Sequence, residues 1–278
     1  MKSRNSAGGS SSLRCKSFVT GGYTIIEILV VLTVTTALFL VVSIMFSGKQ
    51  GQVEANQSAR DLESKIQNIA NDVANGYYYN GISCTGTNNG SNQVSVSSLA
   101  TSAGSNSGCV FLGKIVSFNS FGSTIYSAVG WQFTGATGAS PTTSSLSEAK
   151  PVLVTVNPED YTFKYSLAPT HIYDIASGAE YGAIAFMTQL GQASGGSNPL
   201  TGSKATLLYG INGSTVGDSA SQLEAQVNTD SNFVLLAQGV RICLVSGNGK
   251  PVEITVGAGG NQVGTNVLID NGVSNACA

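Results

Sequence analysis

GGYTIIEILVVLTV, residues 21–34, decides how the chain is read. It opens an apolar run, YTIIEILVVLTVTTALFLVVSIMF (23–46), whose one charged residue is Glu27. A run of that length is enough to cross a bilayer as a helix. It is too long for an ordinary secretory signal, and its glycines precede the run instead of following it as a cleavage site would. A carboxylate in the hydrocarbon region costs roughly 2.5–3.5 kcal/mol on insertion scales, so Glu27 needs an explanation.

Upstream, MKSRNSAGGSSSLRCKSFVTGG (1–22) is small, polar and basic. It carries Lys2, Arg4, Arg14 and Lys16 and no acid. No core can form from it, so it reads as a targeting leader. Its charge places that end of the apolar run in the cytoplasm and the rest of the chain outside. Cys15 follows Ser11, Ser12, Leu13 and Arg14 instead of an apolar stretch, which argues against lipidation. Without the leader the chain keeps nine basic against fifteen acidic residues, a net charge of −6. That balance gives no strong signal for binding nucleic acid.

Downstream, the helix is expected to continue into QVEANQSARDLESKIQNIANDVANG. Ala55, Ala59, Leu62, Ile66, Ile69 and Val73 recur at steps of four and three, which makes one apolar stripe. Arg60, Asp61, Glu63 and Lys65 lie mainly off the stripe and are expected to form local ion pairs. Gly48 is a weak point in the helix interior. Gly76 is a plausible stop. A continuous helix over 23–76 would be about 80 Å long at 1.5 Å per residue. The stripe spans under three heptads, short for a coiled coil, so it should cover a sheet.

After Gly76 the texture changes to short β-branched and aromatic runs between Gly, Ser and Asn clusters. CVFLGKIVSF (109–118) and STIYSAVGWQF (123–133) read as two strands joined by a short turn. PVLVTV (151–156), YTFKYSL (161–167), AIAFMTQL (183–190), ATLLYGI (205–211), FVLLAQGVRICLV (233–245), VEITVG (252–257) and NVLID (266–270) continue the series. SGNGKP (246–251) is a hairpin turn by its Asn-Gly. Segments 86–107, 136–149 and 192–203 read as loops. The expected fold is α+β: a long N-terminal helical spine (23–76) packed on an antiparallel β-rich head (77–278). Charged residues make up only 10%, against about a quarter in ordinary soluble domains, which suits an extracellular β-rich protein.

Outside the leader there are four cysteines: Cys84, Cys109, Cys243 and Cys277. An even number in an exported chain points to two disulfides, with three pairings open. Closure between sequence neighbours, Cys84–Cys109 and Cys243–Cys277, is the expectation.

Gly22, Tyr23, Thr24, Ile25, Ile26 and Glu27, followed by ILVVLTVTTALFLVV, resemble the N-terminal signature of type IV pilins and pseudopilins. Tyr23 stands where Phe or Met is more frequent, and the leader is rather long. The resemblance implies that a prepilin peptidase cuts between Gly22 and Tyr23 and methylates the new amino group of Tyr23. It implies that Glu27, one helical turn from that amine, pairs with it in the same or a neighbouring subunit and guides assembly. The implied partners are other pilin subunits, in a homo- or hetero-filament, and inner-membrane assembly machinery, with the lipid bilayer holding residues 23–46 before assembly. The chain would be a single-pass membrane protein with a cytoplasmic leader and an extracytoplasmic head, then part of an extracellular pilus. Adhesion, motility or DNA uptake would be its service. A pseudopilin of a secretion or competence system is the alternative, as is an anchored adhesion module that never polymerises. The size of the head suggests a minor or tip subunit.

Nothing in the sequence calls for catalysis, a cofactor or a metal. His171 is the only histidine, so a His-based triad or metal site has no second imidazole. Asp160 and Asp174 match no EF-hand spacing, and no GxxxxGK phosphate loop occurs. Tyr77, Tyr78, Tyr79 and Trp131 read as packing aromatics.

Overall fold

The change of texture at Gly76 is a change of secondary structure. In the computed structural model, helix α1 (Ile25–Ala74) is followed by Gly76 at φ 67°, whose N–H returns to the carbonyl of Val73. That left-handed conformation costs glycine no Cβ clash and closes the helix end. The structure describes residues 22–76, 83–87, 93–97, 109–131, 146–188, 190, 206–259, 262–269, 273 and 277. Most of the leader, Tyr77, Tyr78, Tyr79 and the expected loop at 192–203 lie outside these.

The chain divides into two units at Lys49/Gln50. In the first, α1 continues without a break through Gly48. Residues Ile25–Ile44 have a mean hydropathy of 2.7, long and apolar enough to cross a membrane or to serve as a signal segment.

The second unit is the C-terminal part of α1 with twelve strands among the described residues. These are β1 (Ser83–Thr87), β2 (Gln93–Ser97), β3 (Cys109–Asn119), β4 (Gly122–Trp131), β5 (Val152–Thr162), β6 (Ala168–Asp174), β7 (Ala183–Thr188), β8 (Thr206–Ile211), β9 (Phe233–Leu235), β10 (Val240–Val245), β11 (Pro251–Gly259) and β12 (Gln262–Ile269). Two short helices, α2 (Leu146–Ala149) and α3 (Ala220–Val227), complete it. A six-stranded antiparallel sheet runs β5-β4-β3-β7-β8-β9, a four-stranded one β12-β11-β10-β6, and β1 and β2 form a two-stranded one. The protein is therefore mixed α/β, with an apolar N-terminal helix and an antiparallel β-rich unit.

Two cores follow from strand alternation. Val116 and Phe118 of β3 and Ile184 and Phe186 of β7 point to one face of the large sheet. There they meet Ala55, Ala59, Leu62, Ile66, Ile69 and Val73 of α1, all buried, and Val240, Ile242, Val252 and Ile254 of the smaller sheet. Ile115, Ala185 and Met187 point to the other face, where Leu223 and Val227 of α3 cover them. With both faces covered, these strands read as continuous apolar runs.

Several strand expectations need correcting. FVLLAQGVRICLV is two strands, not one, and they belong to different sheets. Gly239, at φ 90°, makes the break; a Cβ there would stand 2.2 Å from the carbonyl oxygen of Val256. PVLVTV and YTFKYSL are instead joined: β5 runs through both up to Thr162, and the residues after it turn at Tyr165 and Ser166, both at positive φ. The junction is a bulge. Val154 pairs with Ser127 and Glu159 with Ile125, leaving Thr155 to Pro158 without ladder partners, with Asn157 at φ 50°. The segment 86–107, expected as loop, contributes to the β1–β2 hairpin, and 136–149 ends in α2. Strand β6 and helix α3 were not anticipated.

Candidate functional site

The residues singled out in the opening stretch lie at the start of α1. Gly22 has open space around its Cα, and Tyr23 is exposed. Thr24 sits just before the first helical residue. Its Oγ1 accepts from the N–H of Glu27 at 3.3 Å, and its own N–H donates to Glu27 Oε2 at 3.0 Å. The hydroxyl also donates to Glu27 Oε2 at 3.1 Å. This is a reciprocal capping box, T-I-I-E, and it satisfies two N–H groups that a helix start leaves without partners. The carboxylate is thereby folded back over the first turn, toward the end where the helix dipole favours a negative charge.

The apolar part of α1 also keeps its polar atoms to itself. Thr33, Thr35 and Thr36 donate to the carbonyls of Val30, Val31 and Leu32 at 2.9, 2.8 and 2.7 Å. Hydroxyls bonded within their own helix need no water, which suits an apolar surround. Ile25, Leu29, Leu32, Phe39 and Ile44 are exposed along this stretch.

In the second unit, α1 is tied to strands by charged and polar side chains. Tyr161 Oη donates to Asp61 Oδ2 at 2.7 Å, and Lys164 Nζ lies 3.1 Å from the same oxygen. Thr265 donates to Glu63 at 2.7 Å, and Lys65 pairs with Glu159. Lys114 of β3 donates to Asp72 at 2.6 Å. Of the local helix pairs expected among Arg60, Asp61, Glu63 and Lys65, the structure has Arg60–Glu63, while Asp61 and Lys65 reach β5 and the turn after it. The hydroxyls of Thr206 and Thr188 approach the carbonyls of Ala70 and Val73 at 3.4 and 3.5 Å, serving the open end of the helix.

These bonds move the titrations. Tyr161 and Lys164 hold the Asp61 carboxyl below its usual range. Burial opposes ionisation of Glu63, but the Thr265 hydrogen bond and Arg60 outweigh it and lower the group. Burial and the Asp61 bond push the Tyr161 phenol well up.

The cysteines stand in two disulfides. Cys84 of β1 joins Cys109 of β3 with Cα atoms 6.1 Å apart, and Cys243 of β10 joins Cys277 at 5.2 Å. The first fastens the β1–β2 hairpin to the large sheet. The second ties the last cysteine to β10 of the smaller sheet, where Cys243 is in register with Glu253, which accepts from Arg241 Nε at 2.8 Å.

Among the described residues, no three His, Cys, Asp or Glu side chains stand close enough to share a metal. His171 Nδ1 lies 2.8 Å from Glu180, and its ring stacks on Tyr173. Asp174 is engaged in its own turn, accepting from Ala176, Ser177 N–H and the Ser177 hydroxyl. Asp160 accepts from Thr124. Trp131 is buried at the end of β4. Sequence reasoning named Thr24 but missed its capping role, although the T-x-x-E spacing was there to read.

No protein-family model, curated protein or solved structure matches the chain.

Proposed function

We propose that the chain is a type IV pilin-like subunit of an extracytoplasmic filament. A prepilin peptidase cuts it between Gly22 and Tyr23 and methylates the Tyr23 amine. The bilayer stores the processed chain through residues 23–46, and the assembly machinery then packs its spine among other pilin subunits. The second half of the spine carries the β-rich head, which is presented outside the cell for adhesion, motility or DNA uptake. The work is structural, without catalysis or cofactor. One observation carries the reading: the capping box fixes the Glu27 carboxylate at the first turn of an uncovered apolar helix, within one residue of the amine that cleavage would create.

The same observation favours a second reading. A capping box explains an acid at the start of a helix without any partner, so Glu27 suits a single-pass anchor that never polymerises. Glu27→Gln separates the two, because glutamine serves a capping box as well as glutamate does but carries no charge. The filament reading expects a processed, membrane-held protein that fails to enter filaments. Filament yield equal to that of the unsubstituted protein would refute the charge-pairing role. Mass spectrometry of the mature N-terminus tests processing; an intact leader on assembled subunits would sink it.

A further inference from the structure

The helix-bearing face of the large sheet holds a cavity of about 610 Å³ where β5 turns aside at its bulge. That size falls within the roughly 300–1,000 Å³ of small-molecule sites. Its apolar side is Ile125, Val154 and Val156. Its polar side carries two cations and two anions, Lys65 with Glu159 and Lys114 with Asp72, each cation already paired to its carboxylate. Bulges commonly open or re-aim a strand beside a site. Asn157, at positive φ, stands on this one.

We propose that this cavity binds a neutral, hydroxyl-rich ligand of the saccharide class. Lys114 is 8% exposed and donates to Asp72, one use of the three N–H donors an ammonium carries. A carboxylate accepts at several lone-pair positions, so Asp72 and Glu159 also retain capacity. Hydroxyls both donate and accept, so a polyol fills both kinds of position and leaves both ion pairs in place. A charged ligand does not. An anion at the open lysine donors stands beside Asp72 or Glu159 and is repelled by it, and a cation at the open carboxylate positions meets the same repulsion from Lys65 or Lys114. The apolar side gives the C–H face of a sugar ring a surface to lie on. The site concerns the β-rich unit alone and holds whether or not the chain assembles.

The test uses the full chain in a detergent without a sugar headgroup, with methyl NMR of Ile125, Val154 and Val156. Glucose, N-acetylglucosamine and lactose are the neutral probes. Ethylammonium is the cationic probe, and acetate and inorganic phosphate are the anionic ones. The expected result is saturable shifts of these methyls with at least one neutral probe and none with the charged probes. Val156→Trp, which fills the cavity and leaves all four charged residues, should weaken the binding at least about tenfold. Absence of shifts with all three sugars overturns the proposal, and so does binding of the charged probes in their place. Sugar affinity unchanged in a folded Val156→Trp protein overturns the location.

Discussion

Asp72 and Lys114 form an ion pair whose two halves differ in their access to water, and substitution of each should have very different consequences. The Lys114 side chain is 11% exposed and that of Asp72 is 38% exposed. Asp72→Asn leaves an ammonium without its counter-charge against the buried face of β3. Removing one partner of a fully buried pair costs about 3–5 kcal/mol. Water reaching the Asp72 side lowers that to about 2–3 kcal/mol here. Lys114→Met removes the buried charge, keeps most of the stem volume, and leaves a carboxylate that solvent can reach. Its cost should stay within about 1 kcal/mol, part of it from the unfavourable placing of an acid in the last turn of a helix. The double substitution should resemble Lys114→Met alone. Trp131, the chain's one tryptophan and buried at the end of β4, reports unfolding by fluorescence in urea titrations of the full chain in micelles. Should Lys114→Met prove as costly as Asp72→Asn, the asymmetry argument is wrong and the pair contributes chiefly by attraction.

Three further outcomes are expected. Gly239→Ala forces a side chain into φ 90° and within 2.2 Å of the Val256 carbonyl, so it should destabilise by more than about 1 kcal/mol in the same titration, while Gly178→Ala, with open space, should cost less. Replacing either disulfide by two alanines should cost about 3–4 kcal/mol, since the closed loops span 25 and 34 residues and differ little in entropy; a loss confined to one pair would contradict this. Asp61 and Glu63 are depressed in the folded chain, so the stability they add is complete above the ordinary carboxylate range near pH 4 and disappears as the pH falls through their lower folded values. Asp61→Asn should flatten that acid limb, and an unchanged limb would refute the assignment.

Local signals carried most of what the sequence revealed. The apolar run, the four-and-three stripe and the Asn-Gly turn depend on neighbours within a few residues, and α1, its buried stripe and the β10–β11 hairpin answer to them. The split at Gly239 was not legible, because apolar residues continue on both sides and only the positive φ separates them. Lys114 looked like an ordinary strand residue; its meaning depends on Asp72, 42 positions earlier. Asp61 and Lys65 had helix neighbours at the right spacing, but the residues of β5 and the turn after it lie nearer. The two capping boxes were legible and passed over: T-I-I-E at 24–27, and S-A-S-Q at 219–222, which starts α3. Reading Glu27 through the first gives the carboxylate a local duty before any partner is invoked.

The bulge in β5 has a mechanical consequence. Among the described residues this strand is an outer margin of the large sheet, and at Asn157 and Pro158 its ladder is interrupted, followed by the charged Glu159 and Asp160. Such a margin resists the addition of a foreign strand. Copies of this chain therefore have no easy way to fuse sheet to sheet through that side into one continuous hydrogen-bonded ribbon. Contacts made between copies at this margin would rest on side chains, which can be undone one subunit at a time, with each fold left whole.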